Sequence, residues 1–269
     1  MLPVYKATAI DQEALLGGST RPCLMTVMDD KGDIAGSYVV KIFKHYNTEQ
    51  YNPTNKELYG NVLAKEFDLN TPKPALIQVN NSLISQLKKS DRYKNWDIIS
   101  GTYFGCELVE NTLDFNQKAL QKSEQWEIEN VFAFDVLIRN VDRRVSKPNM
   151  FFKDGSIILI DHELSLNIDR SFDSYLQIEN AWRFITNEHR DARHLFLDYL
   201  KKQNKKEEVT FNDFLELLRT LNLRQLDEVA NQLEDLGLYP IDYVPIKAYL
   251  REVKQNPHAF AKLLKKMLQ

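Results

Sequence analysis

The chain is poor in cysteine, in long apolar runs and in any excess of one charge. Cys23 and Cys106 are its only cysteines in 269 residues, too few for a disulfide framework and without histidines at metal-ligand spacing. A disulfide-stapled mini-domain and a structural zinc module are therefore excluded, and a reducing compartment fits. No stretch approaches the ~18 uninterrupted apolar residues of a membrane span. The opening "MLPVYKATAI" lacks the basic start and apolar core of a secretory leader, so a cytoplasmic location is expected. Lys and Arg number 35 against 38 Asp and Glu, a formal net charge of -3. That balance gives no global attraction to nucleic acid or an anionic membrane, and neither is expected as a partner.

What is present is enough apolar content, 43%, to fill a sizeable core. "CLMTVMDDKGDIAGSYVVKIF" sets two β-type runs around a turn and predicts a hairpin. "NKELYGNVLAKEF" puts Leu58, Val62 and Phe67, with Tyr59 and Leu63, on one helical stripe. The prolines of "LNTPKPALIQV" stop that helix before a strand-like run, and "DIISGTYFGCELVEN" predicts a second hairpin. "EQWEIENVFAFDVLIRN" is a helix apolar on more than one face, and the chain after Asp173 is mostly helical, with Thr210 and Asp213 as a capping signal before "FLELLRTL". Composition shifts from strands to helices near residue 110, which divides the chain into a β-rich domain, 1–109, and a helical one, 110–269.

The chemistry concentrates in "NVDRRVSKPNMFF" and the "SIILID" that follows. Together they read as a strand, a turn at Lys153 to Gly155, and a second strand, so Asn149 begins one strand and Asp161 ends the other. An amide oxygen beside a carboxylate is a hard-oxygen site suited to Mg²⁺. Asp142, a short loop away, could accept a hydroxyl proton or orient the hydroxyl. Asp135 lies inside apolar "FAFDVLI"; a buried carboxylate must be paired, and a loop backbone or Arg143 is the expected partner. A metal-dependent nuclease using Asp142, Asp161 and Glu163 would predict a basic surface and leaves an early lysine and acid without a role.

"NVDRRVSKPNMFF" followed by "IILIDHELSL" resembles the catalytic and metal-binding segments of HipA-like kinases, relatives of the phosphoinositide kinases within the protein-kinase-like fold. The resemblance implies an α+β bilobal fold: a small antiparallel-sheet N-lobe with one helix, and a larger, mainly helical C-lobe. It implies Asp142 as catalytic base and Asn149 and Asp161 as Mg²⁺ ligands. It makes Lys41, at the end of "YVVKIF", the residue that touches ATP phosphates, and Glu57, early in the next helix, its ion-pair partner. Gly17, Gly18, Ser19 and Thr20 of "LLGGSTRP" are either the phosphate-covering loop or an ordinary turn. Glu107, Leu108 and Val109 would form the hinge that meets the adenine edge through its backbone. The implied activity is an ATP- and Mg²⁺-dependent phosphotransfer to a hydroxyl of a protein or small molecule, the acceptor unspecified. The alternative is a kinase-shaped module that binds nucleotide or a protein partner without turnover. Two departures stand out: Arg144 replaces a histidine common after the DR pair, and Lys147 precedes Asn149. An extra cation there would either hold phosphate or screen the site.

Overall fold

Period-two burial marks the second strand. β1 (Val4–Gln12) and β2 (Cys23–Met28) pair antiparallel, and in β2 the side chains of Cys23, Met25 and Val27 are fully buried while their neighbours are half-exposed. The turn to β3 (Ile34–Val40) is the expected "DDKGD": Asp29 Oδ1 accepts the N–H groups of Lys31 and Asp33, both at 2.9 Å, and Gly32 supplies a φ of 93°. Helices α1 (His45–Tyr51) and α2 (Pro53–Glu66) follow, then β4 (Pro74–Val79), α3 (Asn81–Leu87) and β5 (Gly101–Glu107).

The computed structural model describes residues 1–12, 21–238 and 242–269, which form two compact units. The first comprises Met1–Asn61, Pro72–Glu110 and Asp227–Pro240. Its five strands close into a barrel in the order β1-β2-β3-β5-β4. This corrects the small antiparallel sheet with one helix: β1 and β4 run parallel, with Val4 opposite Leu76, and α1 and α3 accompany the start of α2. β1 buries only Ala7, so its sequence carries little alternation, and its closing partner is distant in the chain. The hairpin expected in "DIISGTYFGCELVEN" is also corrected. That segment is the single strand β5, which pairs antiparallel with β4 and β3. Gly105 on β5 is needed there, because a Cβ would collide with the Ile77 side chain across the β4–β5 pair.

The second unit comprises Val62–Thr71, Asn111–Leu226 and Ile241–Gln269. It contains β6 (Leu113–Asp114), α4 (Gln117–Lys122), α5 (Gln125–Leu137), β7 (Met150–Lys153) and β8 (Ser156–Leu159). The later helices are α6 (Phe172–Leu176), α7 (Arg183–Thr186), α8 (Leu197–Asn204), α9 (Asn212–Thr220), α10 (Arg224–Asp235), α11 (Tyr243–Gln255) and α12 (Pro257–Met267), with α10 passing into the first unit. Every residue of α5 from Glu127 to Leu137 is buried, as its all-round apolar sequence requires. Phe67 stacks on Phe214 with ring centres 4.3 Å apart and tilts against Phe134 of α5. The expected Thr210–Asp213 cap of α9 is replaced. Phe211 takes the cap position in the left-handed region, and the buried Glu129 of α5 accepts the Thr210 and Phe211 N–H groups at 3.2 and 2.7 Å. No helix among the described residues is long and apolar enough to cross a membrane.

Candidate active site

In the first unit, Lys41 stands one residue beyond β3, its N–H donating to the Phe104 carbonyl at 3.0 Å. Glu57, on the second turn of α2, is wholly buried, and Lys41 Nζ donates to its Oε1 as an ion pair. A buried charge persists only with such a partner, so the pair fixes the position of the ammonium group. Asn61 one turn on donates to the Glu57 carbonyl at 2.9 Å. Burial pushes the Cys106 thiol up to about 12, Lys41 opposing and Glu57 adding, so this cysteine is an uncharged neighbour of the pair and not a nucleophile. In the segment expected to form the hinge, Glu107 N–H donates to Lys73 O and Leu108 N–H to Ser37 O, at 3.0 and 3.3 Å. Of the amides of Glu107, Leu108 and Val109, that of Val109 is the one without a backbone acceptor among the described residues. Gly17, Gly18, Ser19 and Thr20 lie outside the described residues.

The remaining candidate residues belong to the second unit, on a loop that leaves α5. Asp135, near the end of that helix, is fully buried and anchors the loop: Arg143 Nε donates to Oδ2 at 2.5 Å, Asn140 Nδ2 to Oδ1 at 2.9 Å, and His194 Nε2 lies 2.9 Å from Oδ2. Burial opposes ionisation of Asp135, but Arg143, His194 and Asn140 outweigh it and hold the carboxyl below its ordinary range. Asn140 also accepts the Asp142 N–H at 3.1 Å, so the helix end, the ion pair and Asp142 form one connected unit. The expected Asp135–Arg143 partnership is thus present, and sequence reasoning missed the parts played by Asn140 and His194.

Asp142 is buried, and its two carboxylate oxygens have different partners. Oδ1 accepts from Arg144 Nη2 at 2.7 Å; Oδ2 accepts from Lys147 Nζ at 2.5 Å and from Asn149 Nδ2 at 3.1 Å. Backbone hydrogen bonds in both directions between Arg144 and Lys147, each 3.1 Å, fold the intervening loop into a tight turn that presents both cations. Lys147 Nζ is also 3.1 Å from Asp161 Oδ2. Burial lowers the pKa of this ammonium group, but Asp161 and Asp142 outweigh it and the net shift is upward.

Asn149 and Asp161 flank the hairpin of β7 and β8, whose two-residue turn uses Asp154 and Gly155 at φ 51° and 87°. Ile160 N–H donates to the Asn149 carbonyl at 3.1 Å, which holds the two flanks side by side. Both Asn149 and Asp161 adopt positive φ, 51° and 66°, in a region that Asn and Asp tolerate best among non-glycine residues. Asn149 spends its amide N–H groups on Asp142, and its Oδ1 accepts from no described residue. One free amide oxygen beside a carboxylate that already accommodates a cation fits Mg²⁺ in donor chemistry. The adjacent His162 is buried with its ring edge-on to Phe134, 6.2 Å between centres.

Residues 12–221 match a family model described as HipA-like kinase. Among solved structures, the chain is similar to the Helicobacter pylori proinflammatory kinase CtkA, with a TM-score of 0.51, 12% identity, and 97% of this chain and 96% of that one covered. At that identity the likeness shows a kinase fold alone. An apo pseudokinase aligns at 10% identity and a TM-score of 0.32, with 97% of each chain covered. No curated protein matches the chain at a significant level.

Proposed function

Because the chain belongs to the HipA-like kinase family, we propose that it is a phosphotransferase that moves the γ-phosphoryl group of ATP to an acceptor hydroxyl in a Mg²⁺-dependent reaction. The observation that carries this reading is Asp142, a buried carboxylate held by the loop that Asp135, Asn140 and Arg143 tie to the end of α5, and hydrogen-bonded to Asn149. A kinase needs such a fixed acid next to the residues that handle phosphate.

In this mechanism Lys41, fixed by Glu57, neutralises phosphate oxygens of the nucleotide. Val109 offers the adenine edge its backbone N–H. Asn149 and Asp161 would hold Mg²⁺, which when bound neutralises charge on the phosphates. Asp142 orients the acceptor hydroxyl and takes its proton as the new oxygen–phosphorus bond forms and the bond to the ADP oxygen breaks. Gly17 to Thr20 would cover the phosphates through backbone N–H groups. Lys147, between Asp142 and Asp161, keeps two close carboxylates compatible before the nucleotide arrives.

ADP release from ATP and Mg²⁺ tests the reading, with nucleotide binding followed in parallel. Asp142→Asn should lower turnover by about 10²–10⁴-fold while nucleotide binding survives. Equal turnover in both proteins would remove Asp142 from the mechanism. Nucleotide binding without any turnover in the parent protein would favour the kinase-shaped binding module.

A further inference from the structure

We infer that Arg144 reads an anionic group next to the acceptor hydroxyl, so that the acceptor is a hydroxyl flanked by a carboxylate or phosphate. This rests on the phosphotransfer reading and adds the substrate class to it. The two oxygens of Asp142 face different surroundings. Oδ2 belongs to the phosphate side, because Lys147 and Asn149 both bond it and Lys147 continues to Asp161. Oδ1 is bonded by Arg144 alone among the described residues. An acceptor hydroxyl that approaches Asp142 from outside the metal ligands meets Oδ1, and therefore meets this guanidinium.

Arg144 has donors to spare. Its side chain is 38% exposed, and of its two Nη groups only Nη2 is engaged, through one bond to Asp142, among the described residues. A guanidinium fork with unused N–H groups matches carboxylate and phosphate oxygens in pairs. Its backbone is held on two sides, by the two bonds to Lys147 and by a bridge to His194, so the charge is presented from a fixed base. The nearby cations are already engaged, since Lys147 is occupied by two carboxylates and Arg193 pairs with Asp198 at 2.5 Å. The unspent Nη N–H groups of Arg144 then favour an acidic over a basic neighbour of the acceptor hydroxyl.

The test uses serine-centred peptides flanked by glutamate, by phosphoserine or by lysine, with the 269-residue chain and its Arg144→Ala and Arg144→Glu variants. The readout is the ratio of acidic to basic peptide phosphorylated within each protein, in which any general loss of rate cancels. The parent should prefer acidic flanks by about tenfold or more, the value of one charge-assisted contact. Arg144→Ala should bring the ratio towards one and Arg144→Glu should invert it. Glutamate and phosphoserine peptides separate the two sources of negative charge. Binding of the same acidic peptides with alanine at the acceptor position, followed by fluorescence anisotropy, needs no turnover. If the acidic peptides bind and Arg144→Glu abolishes it, the recognition stands even if phosphotransfer fails. Mg²⁺-ATP binding without acidic-peptide binding, or a ratio that Arg144 substitutions leave unchanged, overturns the inference and leaves the kinase reading intact.

Discussion

Replacement of Glu127 by Gln should make the protein more stable as the pH rises, by an amount the structure sets. Glu127 lies in the first turn of α5, buried, with Oε1 accepting the Ile157 N–H of β8 at 2.8 Å. Burial pushes its carboxyl up from 4.5 to about 7; the Ile157 bond opposes this and Glu124 adds to it. A folded-state pKa above the unfolded one means that the stability from this group is fully present below about 4.5 and is lost as the pH passes through about 7. At about 1.4 kcal/mol for each pH unit, the rise corresponds to a loss on the order of 3 kcal/mol by pH 8. Glutamine keeps an oxygen for the Ile157 N–H and never ionises. The variant should therefore match the parent near pH 4 and exceed it progressively, by about 3 kcal/mol at pH 8. Urea unfolding curves at half-unit intervals of pH measure the difference. A difference that does not change with pH would refute the buried, raised carboxyl as the cause.

Asp135→Ala should cost about 3–5 kcal/mol in a denaturant titration, because it strips the counter-charge from Arg143, whose side chain has no solvent exposure. A cost under about 1 kcal/mol would contradict an uncompensated buried charge. Gly105→Ala should cost about 1–3 kcal/mol through the forced displacement of Ile77, and unchanged stability would show that the β4–β5 contact has room for the methyl group.

What the sequence made legible was local. The β7–β8 hairpin showed because two short apolar runs flank Asp154-Gly155, and the ends of those runs then placed Asn149 next to Asp161. Asp135 showed because one acid within an apolar helix needs a partner, and Arg143 is only eight residues on. The contacts that escaped were distant in the chain. His194 reaches Asp135 across 59 residues, and Glu129 caps α9 across 82, with no spacing rule linking either pair. Closure of the barrel escaped for the same reason, since β1 meets β4 through backbone hydrogen bonds that carry little side-chain pattern. Glu127 and Glu129 could have been found by the reasoning applied to Asp135, as acids on a helix with no polar face. The balance of Arg144 and Lys147 around Asp142 needed atomic positions: the sequence places two cations near an acid but not on different oxygens of it.

A magnesium-dependent nucleotide site that includes Asp161 is central to the proposed activity. A thermal-shift titration with ATP and Mg²⁺ together, with each alone, and with all three conditions repeated on Asp161→Ala, tests it most directly. A ligand that binds only the folded state at a hundredfold excess over Kd adds about 2.7 kcal/mol of stability. The expected result is a clear rise in melting temperature with ATP and Mg²⁺ that neither gives alone and that Asp161→Ala loses. No shift in the parent protein, or the same shift in the variant, would contradict it.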